Sequence, residues 1–269
     1  PMLIQFGRFV SDMAQLKFGF SYQHRRPVIE LLVERLAATL DLAILSSIVT
    51  IIVGVVFGVY TGINRRGAIS RVILIATLVG VSAPAFVVGI LLVFQFSVIM
   101  NLFPAFGRGE LVNIGFWATG LFTYEGLKAM ILPTITISVF QISFLIRLVR
   151  TEILEILKTD YIEFAKARGL PRKRIYFKHA LKNAMIPVIT AIALMVGGTV
   201  TGSIVAEQVF QWPGLGLLLI QAINSVDIPI ISTYLTLIAL VFFILNFLVD
   251  LAYGIIDPRV RIHTSKGDS

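Results

Sequence analysis

Residues 160–182 are the part of the chain whose residue types and spacing most directly indicate a function. They read D-Y-I-E-F-A-K-A-R-G-L-P-R-K-R-I-Y-F-K-H-A-L-K and lie between two long apolar segments. Asp160 and Glu163 have the spacing of a helix capping box. Gly169 suits the left-handed position after a helix, and Pro171 suits the start of another. We therefore predict two short helices broken at Gly169.

The two predicted helices, 161–168 and 172–182, carry more structure than a loop needs if it only orients a membrane protein. Their aromatic and apolar side chains could form the core of an interface: Tyr161, Phe164, Ile175, Tyr176 and Phe177. We interpret the segment as an element that docks into another protein. The alternative is a basic loop that only sets the orientation of the helices.

The composition places the chain among membrane proteins. Of its 269 residues 57% are hydrophobic and 14% are charged, and the mean hydropathy is +0.90. A soluble domain carries about a quarter charged residues. The chain has no cysteine, which excludes disulfides and cysteine-based metal sites or nucleophiles. The histidines, His24, His179 and His263, are too scattered to suggest a metal site.

Long stretches without charge predict an all-α membrane protein, a polytopic bundle with five transmembrane helices. The predicted spans are 36–62, 72–100, 129–157, 183–206 and 230–256. We expect Pro84 to kink the second span and the residues after Met100 to end it. The apolar stretch 111–124 is too short to span, so we predict an interfacial or re-entrant piece.

The basic residues predict the orientation. Most of the 23 Lys and Arg residues fall on the side that holds 65–71, the loop 158–182 and the tail 258–269. The positive-inside rule makes this side cytoplasmic. The net charge of +8 is then explained by topology, and no nucleic-acid partner is required. The permease domain would cover 36–257, with 1–35 as an external lead-in. No signal peptide precedes this lead-in, so we expect a further transmembrane helix upstream that carries it across the membrane.

Polar residues inside or beside the spans are the other candidates for function. For Asp41 and Asp250 we favour a structural hydrogen bond or snorkelling over proton coupling. Gln95, Gln141, Ser143 and Asn246 could either join helices or line a pathway. The external turn 207–216 could be a surface cap or a contact for a binding protein, through Glu207, Trp212 and Gly214. Gly197, Gly198 and Gly202 would permit close helix approach, at an interface between two such chains.

The chain resembles the permease subunits of bacterial ABC importers. Glu163-Phe164-Ala165, with Gly169 six residues after the glutamate, is similar to the family's E-A-A-x-x-x-G loop, although Phe164 stands where the general motif has Ala. The longer run from D-Y-I-E-F-A-K-A-R-G-L through H-A-L-K-N-A is similar to the dipeptide, oligopeptide and nickel branch. Leu132-Pro133-Thr134 and Pro213-Gly214-Leu215-Gly216 also match, and the resemblance covers nearly the whole chain.

The resemblance implies six helices in a full-length member, a second homologous permease subunit, two cytosolic ATPases and an extracytoplasmic substrate-binding protein, all at the bacterial inner membrane. ATP and Mg²⁺ would be bound by the ATPases, since this chain has no G-x-x-x-x-G-K-[ST] motif. The residues that the resemblance assigns to ATPase coupling are Glu163, Phe164, Ala165, Gly169, Pro171, Arg172 and Tyr176. Short peptides are the expected substrate, with nickel, glutathione-like compounds and sugars as alternatives.

Two other classes of protein compete with this hypothesis. An ion- or proton-coupled secondary transporter would need ionisable residues within its spans and often has inverted repeats, whereas the charge-free windows hold none and no repeat is visible. An intramembrane enzyme would need a pattern such as H-E-x-x-H, which does not occur. We therefore expect a chain that is not itself an enzyme.

Overall fold

The computed structural model describes residues 17–115 and 117–256, together with residues 4, 7, 11 and 15. Within the last helix it describes the side chains only at 228–244 and 247. In chain order the helices and strands are α1 Val28–Ile63, α2 Ala68–Ser82, α3 Ala85–Leu92, β1 Val112–Ile114, β2 Trp117–Thr119, α4 Tyr124–Ile156, α5 Asp160–Ala167, α6 Arg172–Arg174, α7 Leu181–Gly202, α8 Ile204–Val209, α9 Leu215–Asn224 and α10 Ile228–Ile256. Two π-helical segments, Val93–Ile99 and Ile175–Ala180, continue α3 and join α6 to α7.

The fold is an all-α membrane bundle, as predicted, built around the close pairing of α1 with α4. Gly54, Gly58 and Gly62 recur every four residues on α1 and face Leu145, Val149 and Ile153 of α4. A Cβ atom added at Gly58 would lie 2.6 Å from the Cβ of Val149. Small residues at this spacing let two helices approach closely in a membrane. The sequence analysis missed this glycine series, although its spacing is visible in the sequence.

Among the described residues, three continuous helical stretches are long and apolar enough to cross a membrane: Val28–Ile63, Tyr124–Ile156 and Arg172–Val209. Ala68–Ser82 and Ala85–Ile99 qualify as a fourth span only as a pair, and the pair is bent by 108° at Pro84. The kink predicted at Pro84 is a break between two helices, and the predicted end near Met100 is confirmed. Helix α10 has 29 residues, but its side chains are not described throughout, so the count of five spans stays a prediction.

Several boundaries differ from the predicted ones, and two of these differences have a visible cause. Helix α1 begins at Val28, inside the predicted lead-in, because Val28, Leu31 and Leu32 pack with Leu218 and Ile230 in an apolar cluster. The second helix of the loop, predicted as a separate element over 172–182, is instead continuous with the following span. No Gly or Pro lies between Arg172 and Pro187 in the sequence. No helix-breaking residue therefore ends the helix at Lys182, the last charged residue of the loop.

The stretch 111–124, predicted as an interfacial or re-entrant piece, contains a small antiparallel hairpin. Strand β1 pairs with β2 in the register Val112 to Thr119 and Ile114 to Trp117. Beyond it, Thr123 caps α4 by accepting a hydrogen bond from the N–H of Gly126. The predicted tail 258–269 lies outside the described residues, as do the side chains of Asn246 and Asp250.

Candidate coupling site

The short helix α5 is held against the bundle by one apolar face. Ile162 and Ala165 are buried and pack with Ile175 and Ala180 of the π-helical segment. Partly buried side chains at the end of α4, among them Ile156 and Leu157, complete this cluster. Helix α5 is therefore fixed to both long helices that flank it, so a force on α5 would act on α4 and α7 together.

The opposite face of α5 is open. Glu163 is exposed, and the side chains of Tyr161 and Phe164 are 50% and 60% exposed. The guanidinium of Arg168 lies 4.7 Å from the centre of the Phe164 ring, a cation–π distance. The Phe at 164, a departure from the general motif, therefore changes the exposed face of the helix and leaves its packing on the bundle unaffected.

The predicted capping box does not form. Helix α5 begins at Asp160, so the residue before it, Thr159, holds the N-cap position, and no side chain caps it. The Thr159 hydroxyl donates instead to the carbonyl of Ile156. Asp160 and Glu163 lie in the first turn, where their negative charges still interact favourably with the helix dipole.

The predicted break at Gly169 is confirmed. Gly169 has φ +75°, in the left-handed region. Its N–H donates to the carbonyl of Lys166, and the N–H of Leu170 donates to that of Ala165, the pair of bonds that defines a Schellman motif. Pro171 then precedes the first residue of the next helix, Arg172, and both are exposed.

The predicted coupling residues thus fall into two groups. Glu163, Phe164, Gly169, Pro171 and Arg172 are exposed, whereas Ala165 is buried and Tyr176 is half-buried. The sequence analysis missed His179, whose Nδ1 forms a hydrogen bond with the Tyr161 hydroxyl. This bond ties α5 to the π-helical segment at 175–180. Single-turn π segments are frequent at functional sites.

The polar residues predicted inside the spans differ in their roles. Gln141 joins three helices: its Oε1 accepts from the Thr50 hydroxyl at 3.2 Å, and its Nε2 donates to Thr199 Oγ1 at 2.9 Å. Ser143 is buried, donates to the carbonyl of Val139 in its own helix and lies against Gly80. Gln95 is exposed on the π-helical segment that follows α3. These placements indicate helix contact for Gln141 and Ser143.

At the other end of the bundle, Glu207 is fully buried and caps a helix. Its Oε2 accepts from the N–H groups of Gly216 and Leu217, at 2.7 and 3.1 Å, in the first turn of α9. Its Oε1 accepts from the hydroxyls of Thr39 and Ser203. These bonds satisfy N–H groups that a helix start otherwise leaves unpaired, and a carboxylate there also complements the helix dipole.

The turn that contains Glu207, Trp212 and Gly214 is packed against the chain itself. Trp212 is fully buried and its indole N–H donates to the carbonyl of Ala38 at 2.8 Å. A Cβ atom at Gly214 would collide with the Glu207 carboxylate. Burial leaves these residues no surface for a binding protein in this conformation. The structure gives Glu207 a role that was not predicted, the capping of a buried helix start.

Asp41 is also part of a buried polar cluster at this end, as the preference for a structural hydrogen bond predicted. Its carboxylate accepts from Arg108, from the indole N–H of Trp117 at 3.0 Å and from the Thr119 hydroxyl at 2.9 Å. Arg108 also donates to the carbonyl of Ala118 and lies 5.5 Å from the centre of the Trp212 ring. The cluster attaches the hairpin to α1.

A third carboxylate, Asp227, holds the segment that precedes α1. Its Oδ2 accepts from the Ser21 hydroxyl at 2.5 Å and from the N–H of Gln23 at 3.1 Å. Burial acts to raise the pKa of Asp227, but hydrogen bonds from Ser21 and from backbone N–H groups outweigh it and the pKa lies below its ordinary value. Within the described residues, no group of three His, Asp or Glu side chains could hold a metal ion.

Comparison with known proteins agrees with this architecture. Residues 54–262 match the family model described as "binding-protein-dependent transport system inner membrane component". The dipeptide transport system permease proteins DppB of Alkalihalophilus pseudofirmus and of Escherichia coli K12 are each 34% identical, over 97% of this chain and 82% and 81% of theirs. A chain of the MetNI methionine ABC transporter in an inward-facing conformation is 20% identical, with a TM-score of 0.67 over 86% of this chain and 98% of its own.

Proposed function

Because the chain belongs to the family of inner-membrane components of binding-protein-dependent transport systems, we propose that it forms half of the translocation pathway of an ABC importer for short peptides. The observation that carries the substrate class is the 34% identity to two dipeptide permeases over nearly the whole chain. The partners proposed with it are a second permease subunit, two ATPases that bind ATP and Mg²⁺, and an extracytoplasmic binding protein.

We propose that α5 and the turn after it form the surface that receives the ATPase. The exposed face with Glu163 and Phe164 would enter the partner, while Ile162 and Ala165 keep the helix attached to the bundle. Helix α4 precedes α5, and the continuous helix from Arg172 to Val209 follows it. Movement of the ATPases would then reorient long helices as rigid bodies, a common form of switching between two states.

The buried carboxylates support an importer driven by ATP over an ion-coupled carrier. Asp41 is paired with Arg108, and Glu207 accepts four hydrogen bonds. Both carboxylates are held by an ion pair or by several hydrogen bonds, as is usual for structural groups. A proton carrier instead needs an ionisable residue that can exchange its proton. The energy for transport is therefore assigned to the ATPase subunits, and this chain is assigned no catalytic step of its own.

Reconstitution tests the proposed function. The transporter with all its subunits would be placed in proteoliposomes with a labelled dipeptide and its binding protein outside and ATP inside. We expect uptake that requires ATP and the binding protein and that survives a protonophore. Uptake that a protonophore abolishes while ATP is present would instead support the ion-coupled alternative.

The proposed orientation has its own test. The chain has no cysteine, so single cysteines can be introduced at exposed positions. We expect Lys166→Cys on α5 to react with a membrane-impermeant thiol reagent only in inverted inner-membrane vesicles, and Tyr22→Cys, where the native side chain is 72% exposed, to react only in cells with a permeabilised outer membrane. The reverse pattern would overturn the orientation.

A further inference from the structure

Two adjoining cavities lie where the end of α1 meets the helix that starts at Arg172. The larger has a volume of about 520 Å³, and most of its lining is apolar: Val55, Val56, Val59, Ile63, Phe177 and Leu181. The smaller, of about 200 Å³, is lined in part by Arg65, Lys158 and Lys166. Ile63 and Tyr176 line both cavities, so the two cavities are direct neighbours.

The smaller cavity is suited to a negative group. Three basic side chains, Arg65, Lys158 and Lys166, line it and no acidic residue does. In the described part of the chain none of the three forms an ion pair, since the ion pairs found there belong to Arg26 and Arg108. Basic pockets beside transmembrane helices on the cytoplasmic side favour anionic lipid headgroups.

The larger cavity is suited to hydrocarbon, and its position fits the membrane. It follows the last turns of α1, the most apolar of the candidate spans, and ends where Arg65 begins the charged segment. Ligand cavities commonly measure about 300–1,000 Å³, so its volume is sufficient for a ligand. A phosphate held by the basic cavity would place an attached acyl chain beside Val56 and Phe177.

We propose that these two cavities together bind an anionic phospholipid of the cytoplasmic leaflet, with the headgroup phosphate against Arg65, Lys158 and Lys166 and an acyl chain in the apolar cavity. The proposal rests on the orientation given under the proposed function. Because Tyr176 and Lys166 belong to the loop assigned to ATPase docking and Ile63 belongs to α1, the lipid would link the position of α5 to that of α1. The lipid is thus assigned a site at the coupling element.

The test uses the intact transporter in nanodiscs of phosphatidylcholine with phosphatidylglycerol, followed by native mass spectrometry to count retained lipids. The charge variant is Arg65→Gln with Lys158→Gln, and its matched control is Arg66→Gln with Arg71→Gln, two exposed basic residues that do not line the cavity. The cavity-filling variant is Val56→Trp, with Ile52→Trp as control, because the two side chains are 58% and 59% exposed on the same helix and only Val56 lines the cavity.

We expect the wild type to retain phosphatidylglycerol and the charge variant to bind it about 30-fold more weakly, since each of the two basic residues removed contributes a factor of about five near a lipid surface. The Val56→Trp variant should also lose the lipid, and both controls should keep it. The proposal would be overturned if the charge variant and its control lost phosphatidylglycerol equally, or if inorganic phosphate alone displaced the lipid.

Co-purification of the ATPase is measured on the same protein preparations, and uptake of dipeptide is measured after the same preparations are placed in proteoliposomes of the same lipid composition. A wild type that transports normally and retains no phosphatidylglycerol would remove the lipid site and leave the proposed function standing. A wild type that retains the lipid and shows no ATP-dependent uptake would contradict the proposed function and leave the lipid site standing. Loss of the ATPase from the charge variant with its lipid retained would assign the basic cavity to the partner protein and overturn the lipid proposal.

Discussion

Asp41 and Arg108 form an ion pair inside the protein: Oδ2 of Asp41 lies 2.7 Å from Nη2 of Arg108, and their side chains are 0% and 8% exposed. The two residues are 67 positions apart in the chain, so the pair holds the segment before the hairpin against α1. Trp117 and Thr119 supply two further donors to the same carboxylate. A charge that is removed from water in this way depends on all of its partners.

Replacing Arg108 by Met should therefore destabilise the protein by roughly 3–5 kcal/mol, because a buried carboxylate would be left without its counter-charge. The measurement is the thermal unfolding midpoint of the detergent-purified chain. Asp41→Asn combined with Arg108→Met should recover part of the loss. Arg26→Gln is the control, because its ion pair with Glu34 lies at the surface and should contribute little. Equal midpoints for Arg108→Met and Arg26→Gln would contradict a stabilising role for the buried pair.

The glycine series on α1 gives a second prediction. Gly58→Ala should lower the unfolding midpoint, because the added Cβ would lie 2.6 Å from the Cβ of Val149 and α1 would have to move away from α4. Gly198→Ala is the matched control within a helix, since nothing lies within 4 Å of a Cβ at that position. It should leave the midpoint of the isolated chain unchanged or slightly higher, because Ala favours the helix.

The same control variant tests the earlier hypothesis about Gly198. If its open surface contacts the second permease subunit, Gly198→Ala should reduce recovery of the paired subunits while the isolated chain stays stable. Normal pairing would show that this surface faces lipid or the pathway.

For the Gly58 prediction, a Gly58→Ala variant as stable as the wild type would show that α1 and α4 can separate at no cost.

Asp227 predicts a dependence of stability on pH. Its pKa is depressed in the folded protein because the hydrogen bonds from Ser21 and from backbone N–H groups outweigh the effect of burial. The unfolded pKa of Asp is about 3.9. A depressed folded pKa contributes stability that is fully present above that value and is lost as the pH falls through the folded pKa.

We therefore expect Asp227→Asn to destabilise the chain at neutral pH and to have a smaller effect as the pH falls below about 4. The measurement is the unfolding midpoint of both proteins from neutral pH down to pH values below the unfolded pKa. Ser21→Ala should produce a smaller loss with the same pH trend, because it removes one donor and leaves the N–H of Gln23. A difference between wild type and variant that is constant with pH would contradict the assignment.

The elements that could be predicted from the sequence are those with local signals. The break at Gly169 follows from a residue that tolerates positive φ, and the helix start at Arg172 follows from Pro171. Local signals failed at the predicted capping box: the helix begins one residue early, so Thr159 takes the N-cap position, and its hydroxyl donates to the carbonyl of Ile156. They also failed where a charge pattern was taken for a helix end, as at Lys182.

The polar clusters could not be predicted from a single sequence because their partners are far apart in the chain. Glu207 binds the hydroxyl of Thr39, 168 residues away, and Asp227 binds that of Ser21, 206 residues away. Nothing in the sequence near Glu207 indicates that its side chain is buried and caps a helix, so only a surface cap and a contact for a binding protein were predicted. The ionisable residues outside the charge-free windows therefore needed the three-dimensional structure before a role could be assigned.

The last prediction concerns coupling. Glu163→Lys should strongly reduce peptide uptake and ATPase co-purification while the chain remains inserted in the membrane. Glu163 is exposed in the first turn of α5, so reversing its charge costs the helix only about 1 kcal/mol through the dipole. Like charges across an interface cost several kcal/mol, so docking should suffer far more than folding.

Glu155→Lys is the control for this prediction, because Glu155 is also exposed but lies on α4. Uptake and ATPase binding are compared at equal amounts of each variant in the membrane. Normal values for Glu163→Lys would show that Glu163 is only part of a solvated surface, and α5 would then lose its main docking residue.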